Sequence, residues 1–294
     1  MIPTHSVIIT GINGFLGTHL SRLIPDAYGV SSRTYDLRTV GGIDALFRHT
    51  RPDLVFHLAA DVGGLQYNLD NPATIFHNNV IMNTLLIHKA ALVGCKKFIF
   101  VSSVCAYPAF PPMPTREHHL WDGYPEKSNG SYGLSKRIAL VQLEACKKQF
   151  GMDFEYPVLA NLYGPGDRSS HVIPDLIKKF LAKQDSVQVW GDGSQTRDFL
   201  YVADAANALV WLAGLDFGEP VNIVNNYSIS INQLVDNLIE LTAYQGKIIW
   251  QLDRPIGQVA RSYSPGLAKQ LGWQAQTDFK TGLRRTIEWF KLSS

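Results

Sequence analysis

The chain has 294 residues, a formal net charge of +2, 46% hydrophobic and 18% charged residues. That length suits one large or two modest domains with a sizeable core, and so small a charge gives no electrostatic reason to expect a nucleic acid or an acidic membrane as partner. Its three cysteines, Cys95, Cys105 and Cys146, fit neither a zinc spacing nor a disulfide framework, so no metal and a reducing compartment are expected.

The first strand-like run, Val7–Thr10, lies near the N-terminus without a basic stretch and long apolar segment ahead of it. No run is long and apolar enough to span a bilayer, and a cytoplasmic protein is expected. Further strand-like runs lie at 28–31, 54–59, 97–102, 154–159 and 221–224. Helical periodicity occupies Phe15–Leu23, 74–93 and 132–150. Continuous apolar strands separated by amphipathic helices predict an α/β fold, a Rossmann-type doubly wound parallel sheet with ligands at the carboxyl ends of its strands. The regularity breaks at the turn-rich stretch 161–166. A helix over 172–183, a strand over 187–190, a helix over 200–215 and mixed short elements thereafter predict a smaller mixed α/β C-terminal substrate domain. The expected division is a dinucleotide-binding domain from 1–165 and 198–226, and a substrate domain from 166–197 and 227–294.

Gly11, Gly14 and Gly17, in the run GINGFLG, follow the first strand and open the first helix. Glycines let a backbone turn tightly beside a pyrophosphate, and a helix N-terminus supplies free N–H groups. Asn13, Phe15 and Leu16 share the turn and are grouped with the glycines as cofactor contacts. Such a junction also carries glycine for packing alone. The second strand ends in Ser31, Ser32 and Arg33, without a carboxylate. An acidic residue there favours NAD and a basic one the 2′-phosphate of NADP. Arg33 therefore favours NADP(H), with NAD(H) open, unless it is a solvated surface arginine. Asp36 is placed near the adenine edge or in a turn.

The run 97–102 leads into Ser103 and Cys105, and further on come Tyr132 and Lys136. Tyrosine and lysine four apart share one helix face. A tyrosine ionises near pH 10; a neighbouring ammonium and the positive ring of an oxidised nicotinamide are expected to favour its phenolate. Such a tyrosine exchanges a proton with a carbonyl or alcohol oxygen as hydride moves, and Ser103 is placed to hydrogen-bond the same oxygen. A YxxxK pair alone is common on exposed helices. With a serine at a strand end and a glycine turn upstream, the combination is specific.

On these motifs the chain resembles, over nearly its whole length, the extended short-chain dehydrogenases/reductases of the sugar-nucleotide epimerase/dehydratase group. The resemblance implies that the glycine turn binds NAD(P), that Ser103, Tyr132 and Lys136 are catalytic, that Tyr132 and Lys136 also contact the cofactor, Lys136 orienting its ribose, that Leu58, Ala59 and Ala60 line the cofactor cleft, and that Asn79 is structural.

Several segments are similar to the GDP-L-fucose synthase family: Val62 to Gly64, Ser103 to Pro108, Asn161 to Pro165, Ser170 to Pro174, Trp190 to Gly193 and Arg197 to Leu200. That family reduces a GDP-4-keto-6-deoxyhexose with NADPH after 3,5-epimerisation. The resemblance makes Cys105 and His171 its acid/base pair, and Asn161, Val172, Trp190, Arg197 and Arg261 its substrate contacts. A 4-keto group acidifies the neighbouring C–H bonds, and inversion needs one group to remove a proton and another to return it on the opposite face. Cys95 and Cys146 read as buried small hydrophobes, and His118 and His119 as surface residues. The segment 166–170 is short for the family, the segment before Val187 is compact, and 254–264 departs from its pattern. A GDP-mannose 3,5-epimerase-like enzyme or a GDP-4-keto-heptose reductase therefore stays in view, and so does a non-catalytic cofactor-binding subunit. The family commonly dimerises through the helices 74–93 and 132–150, whose Leu85, Leu86, Ile138 and Leu140 extend beyond one core stripe; a homodimer is expected.

Overall fold

The computed structural model describes residues 6–225, 227–254 and 260–293. In its first half, strands and helices alternate: β1 (Val7–Thr10), α1 (Phe15–Leu23), β2 (Tyr28–Val30), α2 (Val40–His49), β3 (Leu54–His57), α3 (Leu65–Asp70), α4 (Pro72–Leu92), β4 (Lys97–Phe100), β5 (Ser102–Ser103), α5 (Gly130–Phe150) and β6 (Asp153–Leu159). There follow β7 (Asn161–Tyr163), α6 (Val172–Leu181), β8 (Ser186–Trp190), β9 (Thr196–Arg197), β10 (Phe199–Tyr201), α7 (Val202–Ala213), β11 (Pro220–Ile223), β12 (Ile229–Ser230), α8 (Ile231–Thr242), β13 (Lys247–Gln251), α9 (Gly266–Gln270) and α10 (Phe279–Ser293).

The main sheet runs β2-β1-β3-β4-β6-β11, with β5 also paired to β6, and its pairs are parallel. This is the expected doubly wound architecture. From β1 the chain steps one way to β2 and the other way to β3, so the crevice opens at the carboxyl ends of β1 and β3. Local chemistry fixes the helix ends. Pro72 opens α4 in the first turn, where its missing N–H costs nothing. Gly151 closes α5 in the left-handed conformation, with φ of 73°. Ser230 and Gln233 form a capping box on α8.

Two apolar clusters form. The larger lies on both faces of the main sheet, around Ile8, Val55, Phe98, Phe100, Leu140 and Leu209. The smaller joins α6, α8 and α10 through Ile177, Phe180, Leu234, Leu238 and Leu283. Tyr263 and Ala268, far along the chain, pack on the larger one.

Three expectations change. The helix expected over 200–215 starts at Val202, because Leu200 is held in a parallel bridge to Leu162; three fully buried residues carry no periodicity to tell strand from helix. The tail is not a set of short elements, since α8 spans 12 residues and α10 spans 15. The helix α2 was not expected: Gly41 and Gly42 in its first turn lower helix propensity, although Thr39 caps it and Ile43, Leu46 and Phe47 share its buried face. Of the residues taken as extending the faces of the two long helices, Leu86 and Leu140 are core. Exposed apolar side chains there are Phe76, Leu92, Ile138, Val141 and Phe150.

Candidate active site

At the end of β1 the chain turns through Gly11, with φ of 70°. A Cβ at Gly11 would come within 2.9 Å of the Ala59 nitrogen, and one at Gly17 would overlap the Gly11 carbonyl oxygen. Glycine at both positions lets α1 begin directly against the strand ends. Gly14 caps α1 with no side-chain hydrogen bond; Asn13 and Gly14 are exposed and Phe15 is half-buried. The first N–H groups of the helix are left for a ligand, an arrangement that fits a pyrophosphate. The Leu16 side chain is in the core, so only its backbone borders the turn.

Leu58 and Ala59 donate their N–H groups to Thr10 Oγ1, each at 3.2 Å, and Ala60 continues half-buried along the cleft. Thr10 Oγ1 also meets His57 Nδ1 at 2.7 Å, and His57 Nε2 meets Asn83 Oδ1 at 2.9 Å. Asn83 Nδ2 then donates to the Ser135 carbonyl at 3.3 Å. This buried polar chain joins the glycine turn to α5, and sequence reasoning missed it. Burial, reinforced by the charge of Lys136, pulls the His57 pKa down to about 3. The ring therefore stays neutral. Asn79 is structural in geometry as well: its side chain accepts from the Asp61 N–H and donates to the Asp61 and Ile75 carbonyls.

Beyond β2, Arg33 is exposed. Asp36 forms a two-pronged pair with Arg38, with Nε–Oδ1 2.8 Å and Nη2–Oδ2 2.9 Å. Arg38 was not read from the sequence. Its hydrogen bonds hold the Asp36 carboxyl below the usual carboxylate range.

Ser103 ends β5 in an extended conformation, and its Oγ accepts the Cys105 N–H at 3.2 Å. That bond starts the single 3-10 turn Val104–Ala106, which presents Cys105. α5 carries Tyr132 and Lys136 one turn apart, both buried. Lys136 Nζ donates to the Val101 carbonyl at 2.9 Å and lies 5.4 Å from the centre of the Tyr132 ring. Burial pulls the Lys136 pKa down to about 7. Tyr132 is pushed well above its ordinary value, first by burial and then by Cys105 and Tyr156 nearby. In the cofactor-free protein burial thus outweighs the ammonium, which is turned to the Val101 carbonyl, and the tyrosine keeps its proton. A protonated tyrosine is the form that donates to a ketone oxygen. Behind the pair, Ser102 Oγ donates to Tyr156 Oη, which donates to the Lys136 carbonyl, each at 2.9 Å.

Cys105 is half-buried. Arg261 Nη1 reaches its Sγ at 4.0 Å. Arg197, on β9, has its pKa lowered to about 10, by burial first and then by Arg261. Two half-buried guanidiniums close enough to repel each other fit an anionic group. Trp190, at the end of β8, is 43% exposed, and the Arg254 guanidinium lies 5.7 Å from its ring centre. Asn161 sits on β7, where its N–H donates to the Asp198 carbonyl, and Val172 opens α6 against the smaller cluster. His171 is the exposed N-cap of α6; its N–H donates to Ser169 Oγ at 3.3 Å. Among the described residues no hydrogen bond joins His171 to Cys105. The structure thus gathers Ser103, Cys105, Tyr132, Lys136, Arg197 and Arg261, and leaves His171 at the rim. Cys95 and Cys146 are buried, free and apart from the site. His118 is exposed, while His119 accepts the Arg116 N–H through Nδ1.

No helix of the structure is long and apolar enough to cross a membrane, among the described residues. The family model described as NAD dependent epimerase/dehydratase family matches residues 7–225. GDP-L-fucose synthase 1 of Arabidopsis thaliana is 30% identical, with 97% of this chain and 92% of that protein covered. GDP-mannose 3,5-epimerase of the same plant is 30% identical, covering 97% and 81%. A GDP-L-fucose synthetase from Naegleria fowleri bound to NADP has a TM-score of 0.90 at 26% identity, covering 100% of this chain and 94% of that one. With its Rossmann-type sheet, its glycine turn and its match over most of its length, this chain is an enzyme and belongs to the NAD dependent epimerase/dehydratase family.

Proposed function

We propose that this enzyme carries out the 3,5-epimerisation and NADPH-dependent 4-reduction of a GDP-linked 4-keto-6-deoxyhexose. The observation that carries the reading is Cys105. Its thiol stands between the Ser103–Tyr132–Lys136 cluster and the two guanidiniums of Arg197 and Arg261. A redox pair needs no further acid/base group there, whereas proton exchange beside a ketone does, and a thiol can serve. The relatives named GDP-L-fucose synthase and GDP-mannose 3,5-epimerase and the Naegleria protein bound to NADP support substrate class and cofactor.

Gly11, Gly14, Gly17 and the start of α1 hold the pyrophosphate, and Arg33 with Arg38 the 2′-phosphate. When bound, the cofactor supplies the hydride that reduces C4. Ser103 hydrogen-bonds the C4 oxygen, Tyr132 gives it a proton, and Lys136 adjusts that proton's transfer. Before reduction, Cys105 and His171 remove and return protons at C3 and C5. For this the exposed His171 side chain must swing inward from the rim. Arg197 and Arg261 take the diphosphate, and Trp190 with Asn161 and Val172 borders the rest of the substrate.

The two apolar clusters support a dinucleotide-binding part from 1–165 and 198–226 and a substrate part from 166–197 and 227–294, with Tyr263 and Ala268 leaning on the former and Tyr163, Phe199 and Tyr201 packing with the latter. The exposed apolar residues of α4 and α5 support a homodimer formed through those helices. We further infer a cytoplasmic enzyme, on the free cysteines.

The test is GDP-4-keto-6-deoxymannose with NADPH in heavy water. The expected result is NADPH oxidation with deuterium at both C3 and C5. Oxidation without deuterium would leave a C4 reductase, of the kind that acts on a GDP-4-keto-heptose. Deuterium without oxidation would leave the epimerase reading that the similarity to GDP-mannose 3,5-epimerase favours. Either outcome would overturn the combined epimerase–reductase reading, and the absence of both would exclude this substrate.

A further inference from the structure

Asn222, in β11, is completely buried, and every hydrogen-bonding group of its side chain is used. Tyr107 Oη donates to its Oδ1 at 2.7 Å. Its Nδ2 donates to the Thr115 and Ser264 carbonyls, both at 3.2 Å. Its backbone N–H donates to Glu117 Oε1 at 3.0 Å. An asparagine amide has two donors and one carbonyl, and here one amide gathers three separate stretches of chain at the edge of the main sheet.

Those stretches carry the acid/base thiol and its guanidinium neighbour. Tyr107 closes the 3-10 turn of Cys105, its N–H donating to the Val104 carbonyl at 3.2 Å. Thr115 donates to the Ser262 carbonyl and accepts the Ser264 N–H, both at 2.8 Å. This short parallel bridge of Thr115 with Tyr263 fixes the residues that follow Arg261. The Tyr107 and Tyr263 rings close the space between them, with centroids 5.7 Å apart. Asn222 thus fixes, from below, the relation between two loops whose tips meet at Cys105 Sγ and Arg261 Nη1.

We propose that Asn222 is a positioning residue for proton exchange, acting by holding the Arg261 guanidinium against the Cys105 thiol. The inference rests on the role given to Cys105 above. Asn222 touches neither thiol nor guanidinium; it sets the distance between them. Hydride transfer at Tyr132 depends on α5, to which no hydrogen bond joins Asn222 among the described residues, so the two halves of the reaction should separate.

The experiment compares Asn222→Asp, Arg261→Gln and the double variant. Aspartate keeps the size and the acceptor for Tyr107 but loses both donors. Alkylation of Cys105 by iodoacetamide proceeds through an anionic sulfur, which a guanidinium stabilises. Cys95 and Cys146 are buried, so the reaction reads Cys105. Each single variant should slow alkylation by about tenfold, and the double variant should be no slower than Arg261→Gln alone. In Asn222→Asp, deuterium exchange at C3 and C5 should fall in parallel, while hydride transfer from GDP-L-fucose to NADP falls by no more than about threefold. Additive slowing of alkylation in the double variant, or equal losses of exchange and hydride transfer in Asn222→Asp, would overturn the proposal. Should Asn222→Asp fail to fold, Tyr107→Phe removes only the bond on the Cys105 side and must slow alkylation alone; an unchanged rate there overturns the proposal as well. Alkylation needs no substrate, so an absence of exchange in the unmodified enzyme would count against the proposed reaction and not against the positioning of the thiol.

Discussion

The carbonyl oxygen of Cys105 lies where a Cβ on residue 133 would be, so only glycine at position 133 lets α5 close against the turn that presents the thiol. Gly133 directly follows Tyr132, and the same close approach sets the tyrosine beside Cys105. In Gly133→Ala the obstacle is a backbone carbonyl, which cannot rotate aside without unwinding the 3-10 turn. Misplacing reacting groups by about 1 Å costs on the order of a hundredfold in rate. We expect Gly133→Ala to lose turnover to that extent and to keep its affinity for NADPH, whose glycine turn is remote from α5's contact with Cys105. Steady-state NADPH oxidation and fluorescence titration measure the two. Full turnover in the variant would mean that Cys105 need not sit where the structure holds it.

Tyr132→Phe should divide the reaction. The hydroxyl that burial keeps protonated is removed, while Cys105, Arg197 and Arg261 keep their places. Losing a positioned proton donor costs about 10²–10⁴-fold. NADPH oxidation should fall by that factor, and deuterium should still enter C3 and C5 of the ketone, as mass spectrometry would read. Loss of exchange together with reduction would place Tyr132 in both steps.

Lys136 gives the protein a specific pH dependence. Its pKa is lowered to about 7 by burial, against about 10.4 in an unfolded chain. Between these values the unfolded state binds a proton that the folded state does not, so the stability of the cofactor-free protein rises with pH across that window. Below pH 7 both states are charged and the cost of burial stays constant. Integrated from pH 7 to 9, the gain is about 2 kcal/mol. Urea unfolding at the two pH values should show it in the unmodified protein and not in Lys136→Met. An equal gain in both would assign the slope to other groups.

How much of this was legible in the sequence depended on whether a residue acts locally. The parallel strands and α1 could be read because their apolar pattern and glycines are local. Ser103, Tyr132 and Lys136 could be placed because each follows or rides on such an element. Leu200, buried on every side, had no period to betray its strand. That burial outweighs the ammonium at Tyr132 in the cofactor-free protein was not legible, because spacing shows that an ammonium is near but not that it faces the Val101 carbonyl. His57, Asn83 and Asn222 were invisible for a related reason: their partners are 26 to 115 residues away in sequence, and only folding brings those together. Arg38 is the exception, since Asp36 lies two residues before it and an exposed pair at that spacing could have been read.

That pair leads to a last prediction, on the choice of cofactor. A carboxylate just past the second strand suits the ribose 2′-hydroxyl of NAD, whereas a 2′-phosphate is repelled by it and attracted by arginine. Here both kinds of residue are present, and three bonds from Arg38, two from its side chain and one from its N–H, engage the carboxylate of Asp36. Arg33 stands exposed on the same connection, with no ion pair among the described residues. Arg33→Ala should therefore raise the KM for NADPH by about tenfold and leave that for NADH unchanged, the loss of one phosphate contact. Arg38→Ala removes a cation and also releases the Asp36 carboxylate. It should raise the KM for NADPH further and lower that for NADH, moving preference toward the unphosphorylated cofactor. Arg38→Ala with Asp36→Ala should lose the gain for NADH and behave like Arg33→Ala. If Arg38→Ala alone shifted neither constant, the Asp36–Arg38 pair would be a surface contact remote from the ribose, and Arg33 alone would carry the preference for NADPH.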